Sequence, residues 1–82
     1  MGDILIVDDE RDIRELISDI LQDEGFETRI AGTAEECMKE VDAAPPGLLI
    51  LDLWLKDRDL DGIDILKKVK KNYPHVPVVI IS

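Results

Sequence analysis

With a single cysteine, Cys37, the chain can form neither an internal disulfide nor a cluster of thiolate metal ligands. It also lacks the run of about 18 apolar residues that a membrane-crossing helix needs, and no charged-then-apolar leader opens it. A cytoplasmic protein with no membrane contact is therefore expected. Basic residues are scarce: 10 Lys and Arg stand against 19 Asp and Glu, for a formal charge of −9. Phosphate backbones and anionic membranes recruit basic surfaces, so direct nucleic-acid binding is not expected. A protein, a metal ion or a small phosphate donor is the partner that suits this charge. Internal repeats, linkers and low-complexity segments are missing too. Eighty-two residues make one domain at most, close to the size at which a single core is barely sufficient.

What is present is an alternation of two patterns. Ile4 to Val7, Leu48 to Leu51 and Val78 to Ile81 are short unbroken apolar runs, as in parallel strands buried on both faces. Glu27 to Ala31 is compatible with a strand but more polar, which suits a sheet edge. Between the strands lie helical stripes. Ile13, Leu16, Ile17, Ile20 and Leu21 recur at helix spacing, and Gly25 follows where a helix C-terminus favours a left-handed residue. Thr33 and Glu36 have the spacing of a capping box, opening a helix with Ala34, Cys37, Met38 and Val41 inward and ending before Pro45 and Pro46. Asp61 caps a third helix, with Ile63, Leu66, Val69 and Tyr73 expected inward and Pro74 beyond its end. Strict alternation of strand and helix with short connections predicts a right-handed parallel α/β sheet with helices on both faces. Val78 to Ile81 reads as a central strand, with neighbours expected on both sides.

Ligands of parallel α/β sheets bind at the carboxyl ends of the strands. Those ends carry Asp8 and Asp9 after the first strand, Asp52 after the third and Ser82 after the fourth. Acids that share one rim repel one another, which raises a carboxyl pKa unless a cation sits among them. Hard oxygen ligands in small number suit Mg2+ with retained waters. Beside such an ion a carboxylate can attack phosphorus, and Asp52, alone after the most apolar strand, is best placed to do so. Any one of these acids could end a strand merely because loops are wet and helix N-termini favour negative charge; their joint placement is harder to explain that way. A phosphohydrolase with an aspartyl nucleophile would want a second acid two residues on, where Trp54 stands.

Smaller features have simpler explanations. Lys67, Lys68, Lys70 and Lys71 suit a solvated helix C-terminus, and His75 an exposed turn between Pro74 and Pro77. Cys37 reads as a small core residue. Asp57, Asp59 and Asp61 offer a second cation site or, more simply, a wet loop with a helix cap.

The segments ILIVDDE at 4–10, LLILDLWL at 48–55, DG at 61–62 and PVVIIS at 77–82 resemble the receiver domains of bacterial two-component response regulators, and all 82 residues fall within the resemblance. The longer stretch from Asp52 to Asp61-Gly62, with Trp54 and Leu55 followed by Lys56, Asp57, Arg58 and Asp59, is similar to NtrX-type nitrogen-regulation transcription factors. The resemblance implies a flavodoxin-like (CheY-like) doubly wound parallel sheet, here incomplete, with four strands in order 2-1-3-4 and three helices. It implies that Asp52 accepts a phosphoryl group from a cognate sensor histidine kinase. Asp9, Asp52 and the main-chain carbonyl of Trp54 would ligate Mg2+ directly, with Asp8 acting through water, and Ser82 would be the switch hydroxyl. Such a module is not a conventional enzyme; at most it assists its own phosphorylation and dephosphorylation. Receivers continue past the position of Ser82 with a further helix, strand and helix, and the added strand bears an essential lysine that has no counterpart in these 82 residues. Without the family's further helices, apolar area on the first, third and fourth strands is expected to face water, with self-association, domain swapping or partial disorder as the remedy. The alternative reading is accordingly a truncated, self-associating structural module impaired in phosphotransfer.

Overall fold

The computed structural model describes residues 2–55 and 61–81. In chain order the elements are β1 (Ile4–Val7), α1 (Arg11–Asp23), β2 (Thr28–Ala31), α2 (Ala34–Ala43), β3 (Leu48–Asp52), α3 (Gly62–Asn72) and β4 (Val78–Ile81). The strands form one parallel sheet in the order β2-β1-β3-β4, as expected for a CheY-like receiver. β2, the polar strand, lies at one edge. β4, expected to be central, is the other edge of the described sheet.

Alternation along β1 and β3 splits the apolar residues between the two faces. Leu5, Val7, Leu49 and Leu51 point to the main core, where they meet Ala34, Cys37 and Val41 of α2 and Ile65 and Val69 of α3. Ile4 and Ile6 lie on the opposite face, the side of α1, and are also buried. The expectation that β1 would face water is therefore corrected: Leu5, Ile6 and Val7 are all 0% exposed. Open apolar area lies on β4, as expected, at Val79 and Ile80, and in addition along α1, at Ile13, Leu16 and Ile20.

Two helix stripes also differ from expectation. Of the apolar stripe of α1 only Ile17 and Leu21 are half-buried, while Ser18 is the buried residue of the helix. The reason is polar: the Ser18 and Thr28 hydroxyls pair at 2.7 Å and the Gln22 amide donates to both, turning this side of α1 toward β2. In α3 the expected inward residue Ile63 is exposed, and Ile65 occupies the core with Val69. Gly62 presses against the carbonyl oxygens of Asp52 and Leu53, which fixes the rotation of the helix and sends Ile63 outward.

The helix ends follow local chemistry. Gly25 has φ +93, and the Gly25 and Phe26 N–H groups donate to the Gln22 and Leu21 carbonyls, closing α1 with a left-handed cap. At α2 the Thr33 hydroxyl accepts the Glu36 N–H, and the Glu36 carboxylate accepts from that hydroxyl rather than from the Thr33 N–H. Asp61 and Asp64 cap α3 reciprocally. Arg29 ties the lower part of the sheet to α2. Its guanidinium donates to both Asp3 carboxylate oxygens, to the Glu40 carboxylate and to the Glu40 and Ala44 carbonyls.

Candidate functional site

The carboxyl end of the sheet is built by two strands that stop in register. β1 ends opposite β3 with Val7 beside Leu51, so Asp8 and Asp52 emerge side by side on the same rim. Asp52 is still paired with Ile81 of β4, and the next N–H, that of Leu53, donates to the Ile81 carbonyl at 2.8 Å. The chain then turns sharply: the Leu55 N–H returns to the Asp52 carbonyl and the Trp54 N–H donates to Asp52 Oδ1 at 2.9 Å. Leu55 anchors this turn in the core.

Asp8 is held equally closely. Its N–H donates to the Ala31 carbonyl at 3.2 Å, and its Oδ1 accepts the Glu10 N–H at 2.8 Å. The latter bond opens α1, because Glu10, the N-cap residue, makes no side-chain cap of its own. Asp9 is exposed between them.

The sequence expectation that Asp8, Asp9 and Asp52 converge is met. One carboxylate oxygen from each lies within 4.8 Å of the others. They line an open depression of about 430 Å³ together with Glu10, Ile13, Trp54 and Ile81. Asp8 is only 6% exposed, and this burial, with the Asp52 and Asp9 charges added, pushes its carboxyl above the ordinary range in spite of the Glu10 N–H. Three hard oxygen donors, one nearly buried and uncompensated by a nearby ion pair among the described residues, suit a small divalent cation such as Mg2+. Trp54 is 66% exposed beside Asp52, close enough to report on events there.

Ser82 lies outside the described residues, as do Lys56, Asp57, Arg58 and Asp59. Asp61 is committed to capping α3. Lys67, Lys68, Lys70, Lys71 and His75 are exposed. Cys37 is fully buried, with its thiol pushed up to about 12, which suits a core residue rather than a nucleophile. Among the described residues no helix is long and apolar enough to cross a membrane.

Sequence reasoning missed three contributors. Glu10 and Ile13 were visible only as the acid after the doublet and the first stripe residue of α1, yet both line the depression. Arg14, one turn after Glu10, donates from Nη1 to the Asp8 carbonyl at 3.2 Å. Its four-residue spacing from Glu10 was the available signal, since residues four apart share a helix face.

Comparison with known proteins places this geometry. Residues 4–82 match the family described as the response regulator receiver domain. The nitrogen assimilation regulatory protein NtrX of Azorhizobium caulinodans is 49% identical over 80 residues, which is 98% of this chain and 18% of that relative. The crystal structure of the receiver domain of NtrX from Brucella abortus is similar at a TM-score of 0.90 and 47% identity, covering 95% of this chain and 65% of that one. A CheY-like receiver domain protein from Methanospirillum hungatei has a TM-score of 0.89 at 32% identity, covering 98% of this chain and 62% of that one. The chain thus spans less than a fifth of the length of its full-length curated relative.

Proposed function

The chain belongs to the response regulator receiver family and is NtrX-like, and from that premise we propose that it is a phospho-acceptor module in which Asp52 takes a phosphoryl group from a sensor histidine kinase. The observation that carries the reading is the convergence of Asp8, Asp9 and Asp52 within 4.8 Å on the carboxyl rim of the sheet.

In this reading a carboxylate oxygen of Asp52 forms the new P–O bond while the P–N bond of a donor phosphohistidine breaks and its electron pair returns to the imidazole. The Trp54 N–H holds Asp52 Oδ1 at 2.9 Å and so limits the rotation of the attacking group. Asp9 and Asp52, with the Trp54 main-chain carbonyl, would hold Mg2+ directly, and Asp8 would act through a water. Bound there, the ion would supply positive charge against the charge of the transferred group. Ser82 is proposed as the switch hydroxyl. The site performs at most its own phosphorylation and dephosphorylation, in a cytoplasmic protein.

The test is Mg2+-dependent labelling by a small phosphoryl donor such as acetyl phosphate, read by mass. One phosphoryl group is expected on the wild type and none on Asp52→Asn; labelling that survives the substitution refutes the assignment. A second reading, self-association, is favoured by Ile13, Leu16, Ile20, Val79 and Ile80, all at least 38% exposed. Sedimentation of the isolated chain decides it: a concentration-dependent dimer is expected, and a strict monomer at high concentration rejects it.

A further inference from the structure

At the end of β1 the backbone of Asp8 is the first to leave the sheet. Its N–H still reaches the Ala31 carbonyl and its carboxylate caps the Glu10 N–H, but its own carbonyl is met by a side chain. Arg14 reaches back from α1 and donates from Nη1 to that oxygen at 3.2 Å. The guanidinium lies on Gly32, in the turn between β2 and α2. A Cβ at Gly32 would stand 2.9 Å from Nη1 and 3.2 Å from Cζ of Arg14. The backbone does not demand glycine at that position, because Gly25 is the one glycine with positive φ among the described residues. What the missing side chain at position 32 makes room for is the guanidinium.

We propose that Arg14, seated on Gly32, is a positioning residue of the acidic site: by holding the Asp8 carbonyl it fixes the peptide plane between Asp8 and Asp9, and thereby where the Asp9 carboxylate stands. This inference rests on the cation reading given above. Charge and geometry make opposite predictions, which allows them to be separated. If Arg14 acted only as a positive charge behind three carboxylates, its removal would tighten cation binding, because like charges repel. If it positions the peptide, its removal weakens binding, as loss of a group that orients a metal ligand does.

The experiment is a Mg2+ titration followed by Trp54 fluorescence in wild type, Arg14→Met, Gly32→Ala and the double variant, with circular dichroism and thermal unfolding recorded for each. Met keeps the packing stem while removing donor and charge. Gly32→Ala keeps the charge and displaces the guanidinium. We expect the Mg2+ dissociation constant to rise roughly tenfold in each single variant. Gly32→Ala should have no further effect once Arg14 is Met, because the guanidinium it displaces is gone. Unchanged or tighter binding in folded Arg14→Met overturns the proposal. So does a Gly32→Ala effect that persists in full beside Arg14→Met. If Arg14→Met does not fold, Gly32→Ala alone decides, and wild-type affinity there overturns the proposal. A wild type without a saturable Mg2+ response fails differently, since it overturns the cation reading itself and this inference with it.

Discussion

Gly62 is where fold and site meet most directly, and Gly62→Ala tests the connection. A Cβ at that position would lie 2.6 Å from the Asp52 carbonyl oxygen, 2.7 Å from that of Leu53 and 2.9 Å from the Leu53 carbonyl carbon. These are backbone atoms of the turn that carries Asp52, so no side chain can swing aside. Carbon and carbonyl oxygen settle no closer than about 3.3 Å, so the start of α3 must withdraw by about 0.7 Å. That stretches the bond from the Gly62 N–H to the Leu55 carbonyl, now 3.0 Å. Forcing one carbon into a packed contact costs about 1–3 kcal/mol, against which alanine recovers up to about 1 kcal/mol of helix propensity. A net loss of about 1 kcal/mol is expected, or roughly 6 °C in Tm for a domain of this size. Because the displaced atoms belong to Asp52 and Leu53, Mg2+ affinity should fall as well. Urea unfolding followed by circular dichroism, with a parallel Mg2+ titration, measures both effects. Lys68→Ala, on the exposed side of the same helix, should stay within about 0.5 kcal/mol. If Gly62→Ala proved as stable as the wild type, the carbonyl contact would not be what docks α3.

Arg29→Met should lower stability at neutral pH by about 2 kcal/mol, discounted from buried-pair values because Arg29 and Asp3 remain about one-fifth exposed. The Arg29 hydrogen bond holds the Asp3 carboxyl below its ordinary range, so the stabilisation is present above the usual carboxylate pKa and lost as pH falls through the depressed one. The penalty read from urea melts should therefore shrink toward pH 3, and one that does not change with pH refutes the ion-pair account. Asp8 runs the other way. Burial, then the Asp52 and Asp9 charges, raises its pKa, so its ionisation costs stability as pH rises through the raised value. Like charges within 4.8 Å repel by about 3 kcal/mol at an effective dielectric near 20, less at an open rim. Asp8→Asn should therefore stabilise the metal-free protein by about 1 kcal/mol at neutral pH while weakening Mg2+-dependent stabilisation. Thermal melts in chelator and in Mg2+ measure both, and a destabilised metal-free variant would contradict the reasoning.

The strands were legible because an unbroken apolar run such as Leu48–Leu51 leaves few alternatives to a strand buried on both faces. The structure adds only Asp52 to β3 and removes Glu27 from β2, and even there the Glu27 carbonyl still receives the Ile4 N–H. The acidic rim followed from the same reading, since strand ends set the site. Helix rotation was less legible. Both Ile63 and Ile65 are apolar, positions two apart differ by about 200° and so face opposite ways, and the choice is made by Gly62 against the β3 turn, a contact between residues that are distant in the sequence pattern. The same is true of α1, where Ser18, Gln22 and Thr28 overrule the apolar stripe. Arg14 on Gly32 and Arg29 across Asp3 and Glu40 are long-range side-chain contacts that local periodicity does not encode.

Stability and site chemistry are coupled through shared backbone groups. Asp8 completes the β1–β2 ladder through Ala31, and the turn after Asp52 completes the β3–β4 ladder through Leu53 and Ile81. Whatever loosens these peptides loosens both the sheet and the carboxylates, and whatever neutralises the carboxylates favours the folded sheet. A cation at ten times its dissociation constant would add about 1.4 kcal/mol to folding stability. In a chain of 82 residues with much of the α1 stripe uncovered, that is a sizeable share of the roughly 5–15 kcal/mol that holds a domain together. Cation binding at the proposed site would therefore itself be a folding term, and a variant that disturbs the rim should be recognised first by a smaller Mg2+-induced rise in Tm.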